Sequence, residues 1–165
     1  MSTAVSTIRS KTGVIEAQIT ALLAGMTLAE KIGQMCQVHA GYDDVADVLR
    51  EDLQAGRVGA LLNVVDVAAV NELQRIAVEE SRLGIPLLIG RDVIHGFKTV
   101  LPIPIGQAAS WTPDIVREGA RIAALEAAKA GVNWTFAPMV DVTRDPRWGR
   151  IAESLGEDPY LAGEL

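Results

Sequence analysis

Short, unbroken apolar runs recur along this chain between stretches of helical spacing, and that alternation leaves few folds open. Val58 to Asn63, Ile85 to Gly90 and Val132 to Ala137 each read as a buried strand, and Met35–His39 as a shorter one. Between them lie amphipathic stretches. One covers about 14–24. A second runs over Leu28–Met35 behind a Thr27/Glu30 capping box, and a third runs from the Asp43-Asp44 pair through Leu53, with Gly56 ending it. A fourth spans Asp66 to Arg82 and stops at Gly84; a fifth starts at Thr112-Pro113, with the Thr as N-cap, and runs to Lys129. The segment from Gly96 to Ser110, with Pro102 and Pro104, reads as a long connection.

Repeated βα units joined by short turns imply an α/β fold with a parallel sheet and right-handed crossovers. Two closures remain open on the residues alone: a (β/α)8 barrel or an open doubly wound sheet. No Gly-x-Gly-x-x-Gly follows any of the strands, which counts against the dinucleotide-binding version. Asp158-Pro159 opens another helix only a few residues before Leu165. The expectation is therefore the first half of something larger, whose bare strand edges and helix faces would be covered by a second half or by self-association.

Composition excludes several functions. An apolar share of 49% in 165 residues suits a globular domain with a real core, and the net charge of −6, with no Lys/Arg cluster, argues against nucleic acid as a partner. Cys36 is the single cysteine, sits in an apolar run and reads as a buried thiol; no His/Cys cluster has zinc spacing, so no metal and no cofactor are expected. Residues 1–26 hold no apolar leader core and no 18-residue apolar run occurs, so no membrane partner is expected and the location reads as cytoplasmic, absent a removed leader.

Chemistry concentrates after the last strand. The run Val132 to Val142 delivers Asp141 and then breaks into a loop with Arg144, Asp145, Arg147, Trp148, Arg150 and Glu153. Loops at the C-terminal edge of parallel strands are where α/β proteins put their sites. A structural alternative has Asp145, Arg147, Arg150 and Glu153 pairing with one another to hold the loop. Asp92 follows the preceding strand, so Asp92 and Asp141 face one pocket in a parallel barrel, the arrangement expected of two carboxyl groups for glycoside cleavage.

Several stretches are similar to those of a known family. Met-Thr-Leu-Ala-Glu-Lys-Ile-Gly-Gln-Met (26–35), Ser-Arg-Leu-Gly-Ile-Pro-Leu-Leu (81–88), Asp-Val-Ile-His-Gly (92–96) and Asp-Pro-Arg-Trp-Gly-Arg with Glu-Ser-Leu-Gly-Glu-Asp (145–158) together resemble the N-terminal domain of family 3 glycoside hydrolases of the β-glucosidase type. The resemblance implies the first half of a (β/α)8 TIM-like barrel over 27–165, after a helical lead-in over 1–26. It implies that Asp92 accepts hydrogen bonds from hydroxyls of the terminal sugar and that Arg150 donates to them, as substrate-binding groups. Arg91 and His95 would brace the Asp92 loop, Arg147 and Glu153 would hold Arg150, and Asp141 would fix the turn or meet ligand.

The chain departs from the family pattern in one respect that matters. The family's nucleophile, an aspartate in a Ser-Asp-Trp-like segment, its Lys-His pair and its acid/base are not found here, so no catalytic residue is expected in this chain. Nor does Gly90 to Lys98 match the Asp-x-Glu-Gly-Gly pattern of the N-acetylglucosaminidase branch, which directs the expectation to β-glucosides or xylosides. The implied function is the sugar-binding half of a retaining β-glucosidase, inactive alone. The alternatives are a non-catalytic, self-associating half-barrel and an unrelated sugar-binding α/β domain.

Overall fold

The computed structural model describes residues 2–165, and the side chains from residue 13 onward. The elements in chain order are α1 (Ser2–Gly25), α2 (Leu28–Gln34), β1 (Gln37–His39), α3 (Val45–Gln54), β2 (Ala60–Leu62), α4 (Val67–Arg75), β3 (Leu88–Arg91), α5 (Pro104–Ala108), α6 (Pro113–Lys129), β4 (Trp134–Thr135) and α7 (Pro159–Glu164). The strands form one parallel sheet in the order β1-β2-β3-β4, with Ala60 opposite both Gln37 and Leu88, and Gly90 opposite Trp134. Each strand is thus added to the same edge, with no reversal of order.

Alternation along the strands explains where the core lies. Leu61 and Ile89 are fully buried and pack in one cluster with Leu49 and Leu53 of α3, Val70 and Leu73 of α4, and Ala123 and Ala127 of α6. Helices cover that face. The neighbouring positions turn to the other face, where Gln37, His39, Leu88 and Trp134 are exposed. There Trp134 meets Phe136 edge to face, with centroids 4.8 Å apart. Sequential strand order with α3, α4 and α6 on one face is the winding of a (β/α)8 barrel: the chain is an α/β half-barrel whose bare face is the interior.

Local chemistry sets the helix ends. The capping box is formed as the sequence requires: Thr27 Oγ1 accepts from the Glu30 amide at 3.3 Å and Glu30 Oε2 accepts from the Thr27 amide at 2.8 Å. The same buried carboxylate takes the Arg82 fork at 2.9 and 2.6 Å, tying α2 to the end of the α4 segment. Gly33 is required where α2 crosses the end of α3, because a Cβ there would lie 1.9 Å from the Gly56 carbonyl oxygen.

Several sequence expectations need correction. Strand pairing over Val132 to Ala137 shrinks to Trp134–Thr135, since Pro138 has no N–H to give to a ladder and no described strand pairs on the far side. The connection after Gly96 contains α5, started by Pro104 at its first turn. Asp44 precedes α3 in the left-handed region, φ 57°, and makes no side-chain cap. The Thr112 hydroxyl donates to the Ser110 carbonyl at 2.8 Å and does not cap α6. Helix α4 ends in a π turn, Ile76–Glu80, which lets Glu80 join Arg50 and Arg75. Cys36 is only partly buried.

Candidate functional site

Strands β3 and β4 are parallel neighbours, so the segments leaving Arg91 and Thr135 emerge at one edge of the sheet. The first carries Asp92. Its Oδ1 accepts from the Ile94 amide at 2.9 Å, an Asx turn that fixes the carboxylate; Oδ2 has no hydrogen bond among the described residues. Asp92 lines a hollow with Arg91, Ile94, His95, Gly96, Phe97 and Val100. Arg91 reaches away from Asp92, donating to Asn63 Oδ1 at 2.8 Å at the end of β2, while its Nε is buried without a partner. His95 lies exposed in the hollow, and its carbonyl accepts from the Leu101 amide at 2.7 Å.

The second segment is a loop with a closed neck. Thr143 Oγ1 donates to Ser154 Oγ at 2.5 Å, both residues being buried, and the Thr143 amide donates to the Gly156 carbonyl at 3.0 Å. Between these points run two 3-10 turns, Pro146–Trp148 and Ile151–Glu153, separated by Gly149 at φ 92°. The neck brings the ends of a charged loop together on the polypeptide's own hydroxyls. Asp141 stands just before it, beside Arg144, Asp145 and Trp148 in a shallow hollow.

The loop's charges are shared locally. Glu153 holds Arg150: Nε donates to its two oxygens at 3.1 and 3.2 Å, and Nη2 at 2.5 Å. Arg147 forks onto Asp145, with Nε at 2.9 Å from Oδ1 and Nη2 at 2.6 Å from Oδ2, and so belongs to a separate pair from Arg150. The Glu153 carboxylate first, and then the charges of Asp141 and Asp92, hold the Arg150 guanidinium above its ordinary pKa, so both aspartates lie within electrostatic reach of Arg150. Glu153 is correspondingly depressed by the Arg150 hydrogen bond.

Asp92 with exposed His95 and Asp141 with exposed Trp148 line two separate hollows, not the one pocket the sequence suggests, with Arg150 lining neither; such carboxylates can accept from the hydroxyls of a neutral ligand and the guanidinium fork can donate to them. Two contributors escaped the sequence reading. Asn63, at φ 73°, joins Arg91 to His39, with its Nδ2 3.3 Å from His39 Nδ1; an Asn closing a strand was the available signal. The Thr143–Ser154 neck had none, because its two hydroxyls come together only through the fold of the loop.

The chain matches the Glycosyl hydrolase family 3 N terminal domain over residues 27–165. It is 47% identical over 146 residues to a periplasmic beta-glucosidase of Salmonella typhimurium, covering 88% of this chain and 19% of that protein. It is 33% identical to a putative beta-xylosidase of Formosa agariphila, covering 92% and 22%. Among solved structures, a beta-glucosidase from Listeria innocua in complex with glucose superposes with a TM-score of 0.78 at 39% identity, over 90% of this chain and 22% of that one. The chain therefore spans about a fifth of the length of each of these three relatives. The cytoplasmic expectation is overturned by the periplasmic relative: the lack of an apolar leader within 1–26 carries no information on location. Among the described residues, no helix is long and apolar enough to cross a membrane.

Proposed function

The chain belongs to glycosyl hydrolase family 3, and from that premise we propose that it is the N-terminal half of the catalytic barrel of a retaining β-glucosidase, over 27–165, with a helical lead-in before it. In this reading it supplies the grip on the terminal β-D-glucosyl residue, and the rest of the polypeptide supplies the nucleophile and the acid/base. The observation that carries it is the Arg150 guanidinium, braced by Glu153 in the field of Asp141 and Asp92. Asp92 offers Oδ2 to sugar hydroxyls and Arg150 donates to others, which fixes the ring in one orientation. Arg91 holds the end of β3 to β2 through Asn63, and Arg147 and Asp145 shape the turn before Trp148.

The geometry of a retaining reaction supports this division of labour. Two carboxyl groups must flank the scissile bond about 5–5.5 Å apart, one ionised to attack and one protonated to donate. Asp92 keeps one oxygen tied to the Ile94 amide, which leaves Oδ2 to accept from a sugar hydroxyl. The bare inner face at Leu88, Trp134 and Phe136 favours a partner surface, either the downstream half of the barrel or, in a second reading, another copy of a non-catalytic half-barrel.

One experiment separates these. Purified alone, the chain should leave aryl β-glucosides at background, while the full-length gene product turns them over and co-expression of the downstream half restores activity. Robust turnover by the lone chain, abolished by Asp141→Asn, would make Asp141 the nucleophile and overturn the reading.

A further inference from the structure

Glu126 lies on α6, among the helices that cover the outside of the sheet, yet its carboxylate reaches the loop that carries Asp92. Oε2 accepts from the Lys98 and Thr99 amides at 2.8 Å each, and Oε1 accepts from Thr99 Oγ1 at 2.7 Å. Three donors from two adjacent residues thus converge on one half-buried anion. The Thr99 hydroxyl first, then the Thr99 and Lys98 amides, hold its pKa below the usual glutamate value, so the clamp is ionised at neutral pH.

The clamp acts on a tightly folded loop. Gly96, at φ 105°, lies so close to the Thr99 carbonyl that a Cβ there would sit 2.0 Å from its oxygen. The Gly96 amide donates to the Val93 carbonyl at 3.0 Å, and Asp92 Oδ1 takes the Ile94 amide. Movement of Thr99 is therefore passed through Gly96 to the turn that aims Asp92. Leu101 makes a second fastening to the same helix: a Cβ on Gly119 would come within 2.9 Å of its Cδ1. Glu126 and Gly119 are about two helical turns apart on α6, so the loop is held at two heights on one rigid element.

We propose that Glu126 is a positioning residue that sets the direction of the Asp92 carboxylate, and with it the affinity for the sugar. The proposal rests on the reading of Asp92 as a sugar-binding group. Nothing in the Glu126 side chain touches the hollow; it acts by denying the loop its freedom, and misplacement of a gripping group by about 1 Å is enough to cost up to about a hundredfold.

The test uses the full-length gene product and four variants: Glu126→Gln, Thr99→Ala, Asp92→Ala, and Asp92→Ala with Glu126→Gln. An amide retains one acceptor oxygen but offers an NH2 to N–H donors, so Glu126→Gln should raise KM for an aryl β-glucoside and the inhibition constant of glucose by about tenfold, with a smaller fall in kcat. Thr99→Ala, which removes one of three bonds and keeps the two amide bonds, should shift both constants in the same direction by less. Acting through Asp92, Glu126→Gln should add no further loss in the Asp92→Ala background.

Wild-type glucose affinity in Glu126→Gln and Thr99→Ala, or an undiminished tenfold loss on top of Asp92→Ala, would overturn the proposal while leaving Asp92's own role intact. Unchanged affinity in Asp92→Ala alone would instead remove the sugar-binding reading and the proposal together. Should Glu126→Gln fail to fold, Thr99→Ala and its combination with Asp92→Ala decide the question.

Discussion

The helices packed on this sheet and the loop that leaves β4 use charge in different ways. Among the helices, beside local pairs such as Arg75 with Glu72, ion pairs also join residues distant in sequence: Arg50 reaches Glu72 at 2.9 Å and Glu80 at 2.9 Å, and Arg82 reaches Glu30 at 2.6 Å. In the loop after β4, Arg147 pairs with Asp145 and Arg150 with Glu153, partners two or three residues away. Pairs of the first kind close the fold over a buried core. Pairs of the second kind hold a side chain in place without committing the loop to anything else, which leaves a guanidinium preorganised for a ligand. The same residue types therefore build a scaffold among the helices and, in the proposed function, a grip in the loop.

The largest expected effect lies on the scaffold side. Leu73→Ala empties a fully buried position and should cost about 2–5 kcal/mol in urea unfolding of the dilute chain, whereas Val140→Ala, at a position 84% exposed, should stay within about 0.5 kcal/mol. Equal losses at the two positions would erase the contrast.

On the grip side the ordering inverts. In the full-length gene product, Arg150→Ala should lower kcat/KM on an aryl β-glucoside by about a hundredfold, because one or two charge-assisted bonds of roughly 1.5–3 kcal/mol are lost. Its unfolding midpoint should move little, since the arginine's only hydrogen-bonded side-chain partner among the described residues is the local Glu153. Arg147→Ala, whose side chain is 88% exposed and forks only onto Asp145, should cost activity far less than Arg150→Ala.

Acid separates the two sides again. Arg82, the Thr27 amide and the Thr27 hydroxyl hold Glu30 down to about 2 from 4.5, and Arg75 and Arg50 do the same for Glu72. Depressed folded-state values mean that both groups contribute stability in full above about pH 4.5 and lose it as pH falls toward about 2. Glu30→Gln should therefore be less stable than the wild type at pH 6 and converge with it near pH 2 in urea titrations; a constant gap across that window would show that Glu30 acts by shape alone.

How much of this was legible in the sequence follows the same division. The scaffold was readable because its rules are local or periodic: the Thr27–Glu30 box, the apolar runs around Leu61 and Ile89, and the Asp158-Pro159 start, where Asp158 caps α7 by accepting from the Leu161 amide at 2.8 Å. The π turn that swings Glu80 onto Arg50 was not readable, because the partner it reaches lies 30 residues away in the chain. In the loop, the residue types announced chemistry, but the partner of each arginine could not be chosen from spacing. Asp145, Glu153 and Asp141 were all near enough in sequence, and the turn at Gly149 decided among them. Glu126 was the least visible of all, an acidic residue among alanines on a helix whose task is defined only by the loop that folds against it.

In the proposed function, Asp92 and Arg150, carried by different strand ends, grip one sugar. A double-substitution cycle on glucose affinity in the full-length gene product tests it most directly, with Asp92→Ala, Arg150→Ala and the combination. Shared ligation predicts that the two losses are strongly coupled, the double variant falling short of the sum by about 1 kcal/mol or more. Losses that add to within about 0.5 kcal/mol, or either single variant binding glucose as tightly as the wild type, would contradict it.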